Sequence, residues 1–136
     1  MSSLEQTLSI VKPDAVERNL VSEIKSFFEK NNLKIIKSKK VKITKEEAEE
    51  FYKVHQAKPF YNELCSYLSS GPIIVMILEG ENAISENRKI MGSTDPKKAE
   101  EGTIRKSYGI SIDKNSVHGS DSVENAKSEI DFFFKK

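Results

Sequence analysis

Residues 115–122 read Asn-Ser-Val-His-Gly-Ser-Asp-Ser and hold His118, one of only two histidines in the chain. Gly119 lets another group come close to the backbone. Ser120, Asp121 and Ser122 supply hydroxyls and a carboxylate, and none is a good core former. Ser122 has the type of a helix N-cap and opens an amphipathic run. A histidine placed where a strand-like segment turns into a helix start can face a bound anion, because free N–H groups at a helix start favour phosphate. An unperturbed imidazole titrates near pH ~6.5, so it is mostly neutral and nucleophilic at neutral pH. Attack needs one free ring nitrogen, and the other needs a partner that fixes the tautomer. Glu129, two turns into the following helix, can be that partner. His118 therefore reads as a nucleophile toward a phosphoryl group.

A phosphate pocket also needs cations. Lys12 stands at a strand end before Pro13, Arg88 on a half-apolar helix and Arg105 in a long loop. Arginine's planar fork suits phosphate oxygens. Thr94 and Ser120 can donate hydroxyl hydrogen bonds. Tyr52 and Phe60 bracket a bend, and Phe60, just after the helix-breaking Pro59, can form a stacking platform for a base. Each of these residues alone has an ordinary reading as surface charge or core. His55 and His118 make a poor metal pair, since no H-x-x-x-H, cysteine cluster or carboxylate triad accompanies them. No Walker-type G-x-x-x-x-G-K-S/T loop and no G-x-G-x-x-G occurs.

The elements that must hold these residues follow from periodicity. Residues 7–12 read as a first strand with Leu8 and Ile10 on one face. Leu20, Ile24, Phe27 and Phe28 form a helical stripe. Residues 33–36 and 41–43 give a second, longer strand. Thr44 and Glu47 have capping-box spacing, followed by Ala48, Phe51, Tyr52 and His55. After Lys58-Pro59, a further helix carries Phe60, Leu64, Tyr67 and Leu68, so the two helices form a hairpin ended by Gly71-Pro72. Residues 73–78 are apolar on both faces, as in a central strand. Ala83, Ile84, Asn87, Arg88 and Met91 fit a helix closed by Gly92. Residues 93–112 read as long and irregular. The final helix runs from Ser122, with Val123, Ala126, Ile130 and Phe133 inward, while Phe132 and Phe134 leave apolar surface for an oligomer contact.

This order predicts an α+β fold: a ferredoxin-like βαββαβ antiparallel sheet with an inserted helical hairpin and a C-terminal helix. Helices are expected on one face of the sheet. The 136 residues suit a single domain, 1–136, with a modest core. Lysine and arginine total 22 against 21 acidic residues, a net charge of +1. That balance argues against a protein built to coat nucleic acid or an anionic membrane. Cys65 is the only cysteine, so no internal disulfide forms and a reducing cytoplasm is the expected setting. The longest apolar run is too short to cross a bilayer, and no signal-peptide block is seen.

The 115–122 stretch resembles the N-x-x-H-G-S-D-S motif of nucleoside diphosphate kinases. The resemblance extends along nearly the whole chain. Residues 10–14, Ile-Val-Lys-Pro-Asp, resemble the family's first strand and lysine. Lys58-Pro59-Phe60-Tyr61 resembles its R-P-F-F bend. Residues 88–96 resemble R-x-x-x-G-x-T-[ND]-P, and residues 102–105 the segment G-T-I-R. Ser70-Gly71-Pro72 and Leu78-Glu79-Gly80 flank the matching central strand.

The resemblance implies a ping-pong exchange of the γ-phosphate between nucleoside tri- and diphosphates, with Mg²⁺ carried on the phosphates. Carried over, His118 is the phosphorylated nucleophile, Glu129 orients its ring and Ser120 assists. Lys12, Tyr52, Arg88, Thr94, Arg105 and Asn115 surround phosphates and ribose. Phe60 stacks on the base, with Ile112 on its other side. A homo-oligomer, tetramer or hexamer, is implied, with no obligate nucleic-acid partner and no membrane. The alternative is a non-catalytic nucleotide-binding regulatory module of the same fold. The chain departs from the family pattern at Lys58, where arginine is frequent, at Glu101, where proline is frequent, and at Ala15, where glycine is frequent. The change at Glu101 bears on subunit contacts rather than on chemistry.

Overall fold

The computed structural model describes residues 4–53, 56–59, 61–93, 95–109 and 116–134. Within them, β1 (Leu4–Val11), β2 (Lys34–Val41), β3 (Ile73–Glu81) and β4 (Val117–Gly119) form one antiparallel sheet in the order β2-β3-β1-β4. The helices are α1 (Pro13–Glu17), α2 (Val21–Lys30), α3 (Lys45–Phe51), α4 (Tyr61–Leu68), α5 (Ala83–Met91), α6 (Ile104–Tyr108) and α7 (Val123–Phe134). This is the expected ferredoxin-like sheet with its inserted hairpin α3–α4 and C-terminal α7.

The central strands β1 and β3 are buried on both faces, because their side chains alternate between two cores. Val11, Met76 and Leu78 pack with Ile24 and Phe28 of α2 and Ile90 and Met91 of α5. Leu8, Ile10 and Val75 pack with Ala48 of α3, Cys65 and Leu68 of α4 and Phe133 of α7. Helices thus cover both faces, not the one expected. The split βαβ pattern accounts for α2 and α5, and the hairpin and α7 close the other face.

Other differences are local. The sequence Pro13-Asp14-Ala15 starts α1 directly after β1, with proline in the first helical turn, where its missing N–H costs nothing. The expected irregular segment 93–112 contains a 3-10 turn, Pro96–Lys98, and α6. Asp95 and Thr103 cap these by accepting from the N–H of Lys97 and Lys106. Val123 was expected inward, but it is 64% exposed at the first turn of α7. Phe132 and Phe134 remain partly exposed, as expected, but also pack within the chain. Phe132 packs on Phe51, and Lys39 Nζ stands 4.9 Å over the Phe134 ring.

The expected caps are present. Thr44 Oγ1 accepts from the Glu47 N–H, and Glu47 Oε1 accepts from the Thr44 N–H. Ser122 Oγ accepts from the Asn125 N–H at the start of α7. Gly92 ends α5 at φ +86°, a backbone state that disfavours any side chain, and a Cβ there would meet Thr103 Oγ1 at 2.6 Å.

Candidate active site

The strand register places His118. Val117, His118 and Gly119 pair with Val11, Ile10 and Ser9 of β1. Period-two alternation then turns Val117 and Gly119 toward α5 and His118 toward α3 and α7. A methyl group on Gly119 would stand 2.3 Å from Asn87 Nδ2 and 2.9 Å from Met91 Cε. A side chain at position 119 would force the Asn87 amide and the end of Met91 to shift.

On its own face, His118 meets Glu129, one and a half turns into α7. His118 Nε2 lies 2.9 Å from Glu129 Oε1. The same carboxylate oxygen accepts from Ser120 Oγ at 2.9 Å. Ser120 is buried, and its hydroxyl oxygen accepts from the Leu8 N–H at 3.3 Å. Glu129 is therefore aimed by the sheet through Ser120, and it aims the imidazole in turn. With Nε2 engaged, Nδ1 is the ring nitrogen left for chemistry.

A cavity of about 340 Å³ opens beside this pair, lined by Arg88, Met91, Gly92, Ser93, Arg105, His118 and Gly119. Arg88 is exposed on α5. Arg105, expected in a loop, stands on α6 and is only 8% exposed. Its Nη1 donates to the Gly92 carbonyl at 3.0 Å and its Nη2 to the Val117 carbonyl at 2.9 Å. Burial, and then the neighbouring Arg88 charge, push its pKa down to about 10. It is still cationic at neutral pH, but poorly solvated, so an anion in the cavity would be favoured. Asp121 is held below the usual carboxylate range, chiefly by the Asn125 side chain that donates to it.

Lys12 and Tyr52 are buried and do not line this cavity. Lys12 is 5% exposed at the end of β1, and its N–H donates to the Ser116 carbonyl at 2.8 Å. Tyr52 follows α3, 4% exposed, with its ring edge-on to His118 at 6.3 Å. Burial raises its pKa, with the Glu129 charge second, so the hydroxyl keeps its proton. Phe60, Thr94, Ile112 and Asn115 lie outside the described residues.

Sequence reasoning missed a polar knot behind Lys12. The buried Asp14 carboxylate accepts from Tyr67 Oη, from Arg18 Nη2 at 3.2 Å and from Ser116 Oγ at 3.1 Å. Arg18 also donates to the Tyr108 carbonyl. These bonds tie α1, α4, the end of α6 and the approach to β4 together around Lys12. The only sequence signal was Asp14 beside a strand-ending proline. Ser116, at φ +75°, gave none.

The family model described as nucleoside diphosphate kinase matches residues 5–136. The chain belongs to the nucleoside diphosphate kinase family. A nucleoside diphosphate kinase of Persephonella marina is 56% identical over 134 residues, which is 98% of this chain and 96% of that one. One of Campylobacter fetus is 56% identical over 133 residues, with 98% and 97% covered. Among solved structures, the Aquifex aeolicus nucleoside diphosphate kinase superposes with a TM-score of 0.95 at 42% identity, covering 97% of this chain and 96% of that one. The expected family and the ferredoxin-like fold are both borne out.

Among the described residues, no helix is long and apolar enough to cross a membrane. Nor does any group of three or more histidine, cysteine, aspartate or glutamate side chains there stand ready to hold a metal ion.

Proposed function

We propose that this nucleotide-binding phosphotransferase moves the γ-phosphate of a nucleoside triphosphate to a nucleoside diphosphate through a phosphohistidine on His118 Nδ1. The observation that carries the site assignment is the 2.9 Å contact of His118 Nε2 with Glu129. In the first half-reaction the Nδ1 lone pair attacks the γ-phosphorus. The bond from that phosphorus to the β,γ-bridging oxygen breaks, and the diphosphate leaves with the electron pair. In the second, a terminal β-phosphate oxygen of another diphosphate attacks the phosphohistidine and Nδ1 leaves. Nε2 keeps its proton throughout, donated to Glu129, which favours the imidazolium-like charge of the intermediate.

Phosphoryl transfer asks the protein mainly for positioning and charge. Arg88 and Arg105 offset charge on the transferring group, Lys12 and the neutral Tyr52 hydroxyl donate to it, and Ser120 holds Glu129. Thr94 and Asn115 are assigned to phosphate and ribose, and Phe60 and Ile112 to the base. A base held by stacking is read weakly, since every base has a π-face, which suits broad nucleotide use. Mg²⁺ is assigned to the nucleotide phosphates, where it would neutralise charge. We assign the chain to the cytoplasm, on its single cysteine, and to a homo-oligomer, tetramer or hexamer, whose size sedimentation equilibrium measures.

The test is γ-labelled ATP followed by acid or alkaline quench. The expected result is a label that survives alkali, is lost in acid, moves to GDP and is missing in His118→Ala. Nucleotide binding without any label on the intact protein would overturn the catalytic reading in favour of a binding module.

A further inference from the structure

The imidazole has a second neighbour that neither the motif nor the resemblance points to. Phe51, the last residue of α3, belongs to the helical stripe that follows Thr44. Its ring centroid lies 5.4 Å from that of His118, with the planes at 71°. The same ring meets Tyr52 at 5.1 Å, Phe132 at 5.6 Å and Phe133 at 5.3 Å. An aromatic cluster from α3 and α7 thus ends on the side of the imidazole. The bond to Glu129 fixes one ring atom, but a single hydrogen bond leaves the ring free to rock about it. Aromatic pairs at this separation and tilt have a preferred geometry, which removes that freedom.

We infer that Phe51 is a positioning residue for phosphoryl transfer, an aromatic wall that holds the His118 ring so that Nδ1 faces the cavity. This rests on the reading of His118 as the phosphoryl acceptor. Phe51 touches the nucleophile and contributes no proton and no charge. Its effect therefore falls on the chemical step and not on nucleotide affinity, since a misplacement of ångström size costs rate rather than ground-state binding.

The experiment compares four full-length proteins: wild type, Phe51→Leu, Phe51→Tyr and Phe133→Leu. Phe133 belongs to the same cluster, and its ring meets Phe51 and Phe132. Each is mixed with γ-labelled ATP in single turnover and followed for phosphohistidine formation, ADP affinity and Tm. Phe51→Leu is expected to slow phosphorylation by about tenfold or more with ADP affinity within about twofold. Phe51→Tyr, which keeps a ring against the imidazole, is expected to recover most of the rate. Phe133→Leu is expected to lower Tm at least as much as Phe51→Leu while phosphorylating at the wild-type rate. Equal phosphorylation rates in wild type and Phe51→Leu would overturn the inference and leave His118 standing. So would a rate loss shared by Phe133→Leu in proportion to Tm. No label on the wild-type protein would overturn the underlying reading instead.

Discussion

His118 is held at one ring nitrogen and open at the other, and its neighbours set what it can do. Gly119 is the tightest of them, because any side chain there runs into Asn87 and Met91. Gly119→Ala is expected to lose about 1–3 kcal/mol of stability from overpacking. It should also reduce phosphorylation more than it reduces Tm, since β4 must move and carries His118 with it; urea denaturation together with the labelling assay measures both. Arg105 makes a second prediction. Its pKa falls from the usual arginine value to about 10 on folding. Through that window the folded chain releases the proton before the unfolded chain does, so this group makes stability rise with pH there. Below the window the cost of holding a desolvated cation is constant, and a bound anion offsets it. At neutral pH, ADP at about 100 times its Kd should stabilise the protein by about 2.7 kcal/mol. Arg105→Ala should need a higher ADP concentration for the same rise in Tm, which thermal unfolding in an ADP series would show.

At the scale of elements, α3 is a seven-residue helix that delivers Phe51 and Tyr52 to the site from one well-made end. Helices this short are marginal alone, so the capping box matters. Thr44→Ala is expected to cost about 1 kcal/mol, a Tm loss of roughly 3–6 °C, read by calorimetry. The labelling rate at 25 °C should stay near wild type, because the ring contacts of Phe51 and Tyr52 lie at the other end of α3. A large rate loss would mean that α3 frays into the site. The Thr44–Glu47 spacing was legible in sequence because a capping box is local. The start of α6 was not, although Thr103 caps it, because the apolar signal of a five-residue helix is too short to see beside many charges.

Across the whole molecule, the buried carboxylate of Asp14 joins parts of the chain far apart in sequence. It receives Tyr67 from 53 residues away and Ser116 from 102 residues away. The Tyr67 hydroxyl also accepts from the Asp14 N–H at 3.0 Å. Tyr67→Phe leaves that carboxylate and that N–H short of a partner and is expected to cost about 1–3 kcal/mol in urea denaturation. Because the knot includes Ser116, whose carbonyl accepts from the Lys12 N–H, the variant should also slow phosphorylation. A variant that is destabilised but fully active would show that the knot holds the fold without aiming the site.

What the sequence by itself determined is local or periodic. The element order, the hairpin and the caps at Thr44 and Ser122 follow from alternation, helical stripes and short spacings, and Glu129 stood as a candidate partner for His118. Those signals are carried by residues close together in the chain, and a family motif carries the rest. What only the tertiary structure decided is non-local. Both faces of the sheet are covered, Val123 points out, and Phe132 and Phe134 are half-buried against the core. Arg105 rests on the carbonyls of Gly92 and Val117, Asp14 gathers three side-chain donors, and Phe51 lies against His118. Each of these depends on which face of an element meets which neighbour, and that is settled by packing three helices on one side of β1 and β3 and the rest on the other. No window of sequence contains that information.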